Sequence, residues 1–308
     1  MENKFFLITI DTEGDNQWDS SKEPTTENAR FLPRFQELAE KYGFFPTWLT
    51  NYEMAQDPFF IEYMRDRQDS GKCEIGMHLH AWHNPPEYPL ETRTDQRSYL
   101  IEYPESIMDE KIGYLTKLLE DTFQTKMLSH RSGRWALNSS YLRLLSKYGY
   151  KVDCSVTPFV DWRKSLGQTG TPGSDYSQCP IKPYIIGSGI LEIPMTIRNM
   201  RCFNFDAVHS VHNFLAESKK MILGRAAWLR PSGTCSFSAL KKVLDKASQD
   251  SNYVMFMLHS SEMMPGGSPS FPNANKIERM YSCVERLFEY AKERGYKGCL
   301  LKQFAKML

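Results

Sequence analysis

No stretch of the 308-residue chain is apolar for long enough to cross a membrane. The opening MENKFFLITIDTEGD has an apolar run of about six residues before two acids, too short for a secretory core. Neither sign of charge is in excess: 38 Lys and Arg face 37 Asp and Glu. The net +1 gives no electrostatic case for nucleic acid or an anionic membrane surface as partner. The seven cysteines (Cys73, Cys154, Cys179, Cys202, Cys235, Cys283 and Cys299) form no CxxC pair and no zinc-ribbon spacing. They read as reduced thiols used as small core residues, which makes the expected compartment the cytoplasm. Internal repeats, low-complexity tracts and charge blocks are also missing.

What the chain has is aromatic side chains, 13% of residues, with six tryptophans spread along it. They fill a core or stack on sugar rings, whose C–H faces suit indole. Short apolar runs alternate with amphipathic helical patterns. Strands are expected at 4–10, 44–50, 73–80, 126–131, 150–156, 190–195 and 253–260. Helices are expected at 26–42 (Thr26 as cap, Gly43 as stop), 59–70, 106–122, 139–148, 208–223, 236–248 and 274–294. Such alternation implies parallel βαβ units. About seven of them over this length suit one domain, 1–308, built as an irregular seven- or eight-stranded (β/α) barrel.

In such barrels the chemistry sits where strands end, and here polar residues follow the apolar runs. Asp11 and Glu13, two apart in TIDTEGD, end the first strand: one can ligate a metal while the other stays free as a base, or both cap a turn. His78 and His80 in EIGMHLHAWHN are also two apart and so share one face of a strand. Imidazole suits Zn, Ni, Co or Fe. His83 is a third ligand, a substrate contact or a bystander. Arg131 in HRSGRW pairs with a carboxylate or makes a surface ion pair. Asp161, beside Trp162, holds Arg131, orients a histidine or merely caps a turn. His259 ends the very apolar YVMFML and is a general acid or a core histidine. His209 and His212 have a metal-like spacing on an expected helix but no carboxylate beside them, and read as helix surface. The loops 85–97 and 167–184 are expected to wall the same mouth.

Taken together, these motifs resemble the NodB-homology polysaccharide deacetylases, carbohydrate esterase family four, in order and rough spacing from Thr9 to His259. The likeness is greatest to a branch with HLHxW and VTP stretches, found in surface-polysaccharide and O-antigen biosynthesis. The resemblance implies a glycan or sugar deacetylase that uses one divalent metal ion, zinc first. TIDTEG matches the first motif, usually TFDDG, with one more residue between the acids. Asp11 then takes the base position and Glu13 the metal carboxylate, though the two roles can be exchanged. HLHAWH matches the second motif, usually H-S/T-x-x-H. His78 fits its first histidine, and because the second would fall on Trp82, the other ligand is His80, by strand geometry, or His83. Arg131 matches the third motif, with Arg-Ser-Gly for Arg-x-Pro. Asp161 with Trp162 resembles the fourth motif and Leu258-His259 the fifth. The implied catalytic set is thus Asp11, His259, Arg131 and Asp161, with Trp82, Trp135 and Trp162 on an acetylated sugar or glycan. Two other functions stay open: a metal-independent, allantoinase-like C–N hydrolase on the same barrel, and a non-catalytic glycan-binding protein.

Overall fold

The computed structural model describes residues 3–17, 22–201 and 224–308. Trp18, Cys202, the expected helix 208–223 and its His209 and His212 lie outside the described residues. The elements run in the order β1 (Lys4–Thr12), α1 (Leu32–Lys41), β2 (Pro46–Thr50), α2 (Pro58–Asp69), β3 (Glu74–Leu79), α3 (Glu105–Phe123), β4 (Ser129–Ser132), α4 (Ser139–Lys147) and β5 (Val152–Asp153). Next come β6 (Tyr184–Ile186), β7 (Ile190–Glu192), β8 (Ile197–Met200) and β9 (Arg225–Trp228). The chain ends with α5 (Phe237–Ala247), β10 (Tyr253–His259), α6 (Ala274–Glu293), β11 (Tyr296–Gly298) and α7 (Leu301–Ala305).

The sheet order is β10-β1-β2-β3-β4-β5-β7-β6, and only the β6–β7 pair is antiparallel. β1 is its centre: β11 pairs with its first half and β2 with its second. Alternation along β1 separates two cores. Phe6, Ile8 and Ile10 face the helices, where Phe35, Phe44, Phe256 and Phe288 pack edge to face and stacked. Leu7 faces inward with Leu49, Val152, Cys154, Met195, Met255 and Met257, and α7 brings Leu301 and Phe304 into the same cluster. The curled sheet thus encloses its own core and forms the irregular (β/α) barrel expected from the alternation.

Among the described residues, the curl is completed without a strand ladder. Between β7 and β10 the Met255 amide donates to Thr196 Oγ1 (2.7 Å) and Tyr253 Oη donates to the Pro194 carbonyl (2.8 Å). Leu229 bridges from the Thr196 carbonyl (3.0 Å) to the Met257 amide (3.4 Å).

Three expected elements come out shorter or broken, each for a local reason. The helix expected at 26–42 is a 3-10 turn (Glu27–Phe31) followed by α1, because Pro33 has no N–H to continue the ladder. Thr26 makes no side-chain cap; its hydroxyl donates to Asp57 instead (2.7 Å). The strand expected at 150–156 is only β5, because the Asp153 carboxylate takes the Ser155 amide (2.9 Å) and turns the chain. β7 ends likewise at Glu192, whose carboxyl accepts the Val156 amide (3.1 Å). Asp153 pairs in register with His130 on one side and Glu192 on the other, a buried polar row across β4, β5 and β7. His130 spans from Asp153 (2.6 Å) to the Tyr141 hydroxyl (2.8 Å) under α4, so both of its ring nitrogens have partners.

Candidate active site

The C-terminal ends of β1, β3 and β10 bring five side chains together, Asp11, Glu13, His78, His80 and His259, with Arg131 of β4 beside them. In-register pairing sets Asp11 beside His259 and His78 beside Arg131. Asp11, two residues on from Thr9, keeps to the inner face and meets Arg131 there. Arg131 is fully buried: Nη1 donates to Asp11 Oδ1 (2.5 Å), Nη2 to Thr9 Oγ1 (2.8 Å) and Nε to the Cys154 carbonyl (3.0 Å). Burial alone would raise the Asp11 pKa. The charges of Arg131, His78 and His259, with the Arg131 hydrogen bond, outweigh it and hold the carboxyl below its ordinary value. Its second oxygen, Oδ2, is left facing His259 Nε2 (3.8 Å) and His78 Nε2 (3.9 Å).

Glu13, His78 and His80 each present one ligand atom, all within 4.8 Å of one another. Glu13 Oε2 lies 3.2 Å from His80 Nε2 and 3.8 Å from His78 Nε2. His78 Nδ1 sits 3.1 Å from the Arg131 carbonyl, which only accepts. Nδ1 therefore carries the proton and Nε2 turns its lone pair into the group. Burial pushes the pKa of His78 down to about 4 and that of His80 well below normal, so both imidazoles are in the neutral, ligating form at neutral pH. Burial, then the charges of Asp11, Glu53 and Glu262, push Glu13 well up. A buried carboxyl whose only ion-pair partners among the described residues are these two neutral imidazoles fits a divalent cation. Glu13 is fixed through its backbone: its N–H donates to Ser260 Oγ (2.9 Å), and its carbonyl accepts from Ser260 (2.7 Å) and Asn28 (2.8 Å). Gly133 makes room for His80, since a Cβ there would lie 2.6 Å from the imidazole Cδ2 and 2.4 Å from the Leu79 carbonyl.

His259 is aimed from its other side. Glu262 Oε2 accepts from the His259 amide (3.0 Å) and lies 3.1 Å from Nδ1, so Nδ1 carries the proton and Nε2 faces Asp11. Arg230, just past β9, grips both oxygens of Glu262 (2.7 and 2.8 Å). Against the effect of burial, Arg230 and His259 draw the Glu262 pKa down to about 2. A carboxylate depressed on folding adds stability that is complete above its unfolded pKa, near 4.5, and lost as pH falls through about 2. Glu262→Gln should therefore unfold at lower urea at pH 7, by the equivalent of about 3 kcal/mol, and the gap should shrink to less than half by about pH 3. A gap of equal size at both pH values would show that Glu262 does not act through its charge.

Aromatic rings line two sides. Trp82 stacks on His80 with ring centres 4.3 Å apart. Opposite, Arg134 (φ 54°) and Trp135 (φ 63°) are consecutive left-handed residues, a costly turn that sets the Trp135 ring 5.2 Å from the Arg131 guanidinium. Trp228 bridges Trp135 (5.6 Å) and Trp162 (6.4 Å). The loops 85–97 and 167–184 meet where the Arg93 and Thr94 amides donate to the Gln168 carbonyl (2.9 and 3.1 Å). Buried Lys111 ties down the loop after β3, donating to the carbonyls of Ala81 (2.9 Å), Asn84 (2.5 Å) and Pro86 (2.6 Å). The groove of about 820 Å³ beside Pro85, Tyr114 and Tyr148 on the outer surface includes none of the five site residues.

No family model matches the chain, and no curated protein matches it. Solved structures do. A polysaccharide deacetylase candidate from Mycobacterium smegmatis superposes with a TM-score of 0.56 at 12% identity, over 99% of this chain and 91% of that one. A GH57 branching enzyme from Thermococcus kodakaraensis also gives 0.56, at 11% identity over 98% and 71% of the two chains. A 4-alpha-glucanotransferase from Thermococcus litoralis gives 0.52 at 11% identity, over 99% of this chain and 38% of that one. These similarities establish the irregular barrel. They leave the chemistry to the site, because one fold serves several reactions.

Two of the residues singled out in the sequence lie apart from the five-residue group, and for Asp161 the expected role is corrected. Asp161 neither holds Arg131 nor orients a histidine. Its carboxylate lies on the exposed loop, bound by Arg163 Nε (2.9 Å) and Nη2 (2.7 Å), which draws its pKa down to about 2. Trp162, next to it, turns inward and donates Nε1 to Thr157 (2.8 Å). His83, the alternative to His80, is outside the ligand group and half-buried behind Trp82. Glu262, missed from sequence, orients the histidine instead. Its signal was present: an acid three residues after His259, in the capping-box position of a 3-10 turn.

Proposed function

We propose that the chain is a metal-dependent hydrolase that removes an acetyl group from a sugar or glycan, with all of its chemistry in one domain spanning 1–308. The observation that carries this reading is the five-residue arrangement: a Glu13–His78–His80 ligand group, an Asp11 kept ionised beside it, and His259 on the far side of Asp11. Glu13, His78 and His80 would hold a divalent cation, zinc first, which would supply positive charge to polarise a carbonyl oxygen and acidify a water molecule. Asp11 accepts a proton from the attacking water at Oδ2, while Arg131 on Oδ1 fixes the carboxylate rotamer. The water oxygen bonds to the acetyl carbon. His259 then gives a proton from Nε2 to the departing nitrogen or oxygen, leaving acetate and a free amine or hydroxyl, and Glu262 steadies the ring. Trp82, Trp135 and Trp162 wall the sugar, joined by Trp228.

A role in cell-surface polysaccharide assembly, O-antigen or capsule, rests on the HLHAW and VTP stretches. A cytoplasmic address rests on the thiols, and the six described cysteines are free. The ligand group favours the metal-dependent reading over the allantoinase-like one. The test is acetate release from N- and O-acetylated sugars by zinc-loaded protein. Release that survives full removal of metal, or no release from any of them, overturns the proposal.

A further inference from the structure

Beside the ligand group, along the ends of β2 and β3, lies a set of buried polar atoms that the mechanism does not use. Glu53 follows β2 by three residues. Its Cβ lies 3.6 Å from where a Cβ on Gly14 would stand, directly behind Glu13. Both carboxylate oxygens are buried, and neither has a hydrogen-bond partner on another residue. Asn51, whose amide donates to the Thr12 carbonyl (2.9 Å), is fully buried, and its Nδ2 is likewise unpartnered. So are Trp82 Nε1 and His83 Nε2. Arg97 unites them: its guanidinium is 5.9 Å from the Trp82 ring centre, and its charge acts on both Glu53 and His83. Buried donors and acceptors are almost always satisfied in a finished fold, so an unsatisfied set beside a reaction centre marks groups kept for a ligand.

The sign of each group says which ligand. Glu53 in its ionised form repels an anionic sugar such as a uronic acid, and Arg97 repels an ammonium. A neutral ring suits both, because each hydroxyl donates to a carboxylate oxygen and accepts from an amide, indole or guanidinium N–H. Burial, the main cause, places the Glu53 pKa at about 7. Either protonation state of the carboxyl can bond a hydroxyl. We propose that Glu53, with Asn51, Trp82 and Arg97, forms a subsite for the hydroxyls of a neutral sugar ring next to the reacting acetyl group. This rests on the sugar-deacetylase reading and narrows it to uncharged rings at that position.

The test measures binding by ligand-observed NMR in zinc-loaded Asp11→Asn protein, with probes that carry no acetyl group to release. The probes are methyl glucoside, methyl glucosaminide and methyl glucuronide. The neutral glycoside should bind best, and adding Glu53→Ala should weaken it by about tenfold or more, with Glu53→Gln in between. Zinc content and melting temperature should hold, since the carboxyl that is removed has no hydrogen-bond partner on another described residue. Unchanged affinity in Glu53→Ala, a preference for either charged glycoside, or no binding of any would overturn the subsite. If binding depends on Glu53 while the wild type releases no acetate, the deacetylase reading falls and the subsite stands.

Discussion

Asp11→Asn is expected to bind zinc as the wild type does and to release acetate roughly a hundredfold more slowly, or worse, the usual scale for loss of a general base. Asparagine has the same shape and can still meet Arg131, but it cannot accept a proton. The prediction depends on the division of labour between the two carboxylates. Asp11 spends one oxygen on Arg131 and is held ionised, whereas Glu13 has no Lys or Arg within hydrogen-bond reach among the described residues and stands 3.2 Å from His80. Metal content and rate must be measured on the same preparations. If Asp11→Asn strips the metal and Glu13→Gln keeps it, the roles are exchanged and the hydrolase stands. If neither substitution slows release, the mechanism is wrong.

The second large effect is on the metal itself. His78→Ala should lower zinc from about one per chain to near none, because two protein ligands make a weak site. His80→Ala should do the same and His83→Ala should not, since only His80 shares the ligand group. Stoichiometric zinc in His78→Ala, read by atomic emission after dialysis, would remove the assignment. Loss in His83→Ala alone would show that the loop rather than the strand carries the second imidazole.

The strand-end residues were legible because a period of two is a local property. TIDTE and HLH each put alternate side chains on one face, whatever the rest of the chain does. Partner choice across the barrel was less legible. Asp161 sits beside a tryptophan as the resemblance requires, yet Arg163, two residues on, captures it. The partner that Arg131 does find, Asp11, is 120 positions away. Arg230 gave no signal at all, because its importance comes from a carboxylate that lies 32 residues on. The fold followed the same rule. Long apolar strands such as β1 and β10 fell close to expectation, while β5 and β7 end at buried carboxyls, Asp153 and Glu192, that lie inside the expected strands.

The gap between β7 and β10 has a consequence for motion. Every other junction around the inner core is a run of parallel or antiparallel ladder bonds, but this one is spanned by a hydroxyl, a phenol and the Leu229 peptide group. Amide deuterium uptake should therefore begin here, with Leu229, Met255 and Met257 exchanging well before the β1 amides. Arg230 stands on one bank and Glu262 on the other, so each opening also loosens the grip on His259. The barrel behaves as a hoop with a clasp, and His259, the proposed proton donor, is mounted on the clasp.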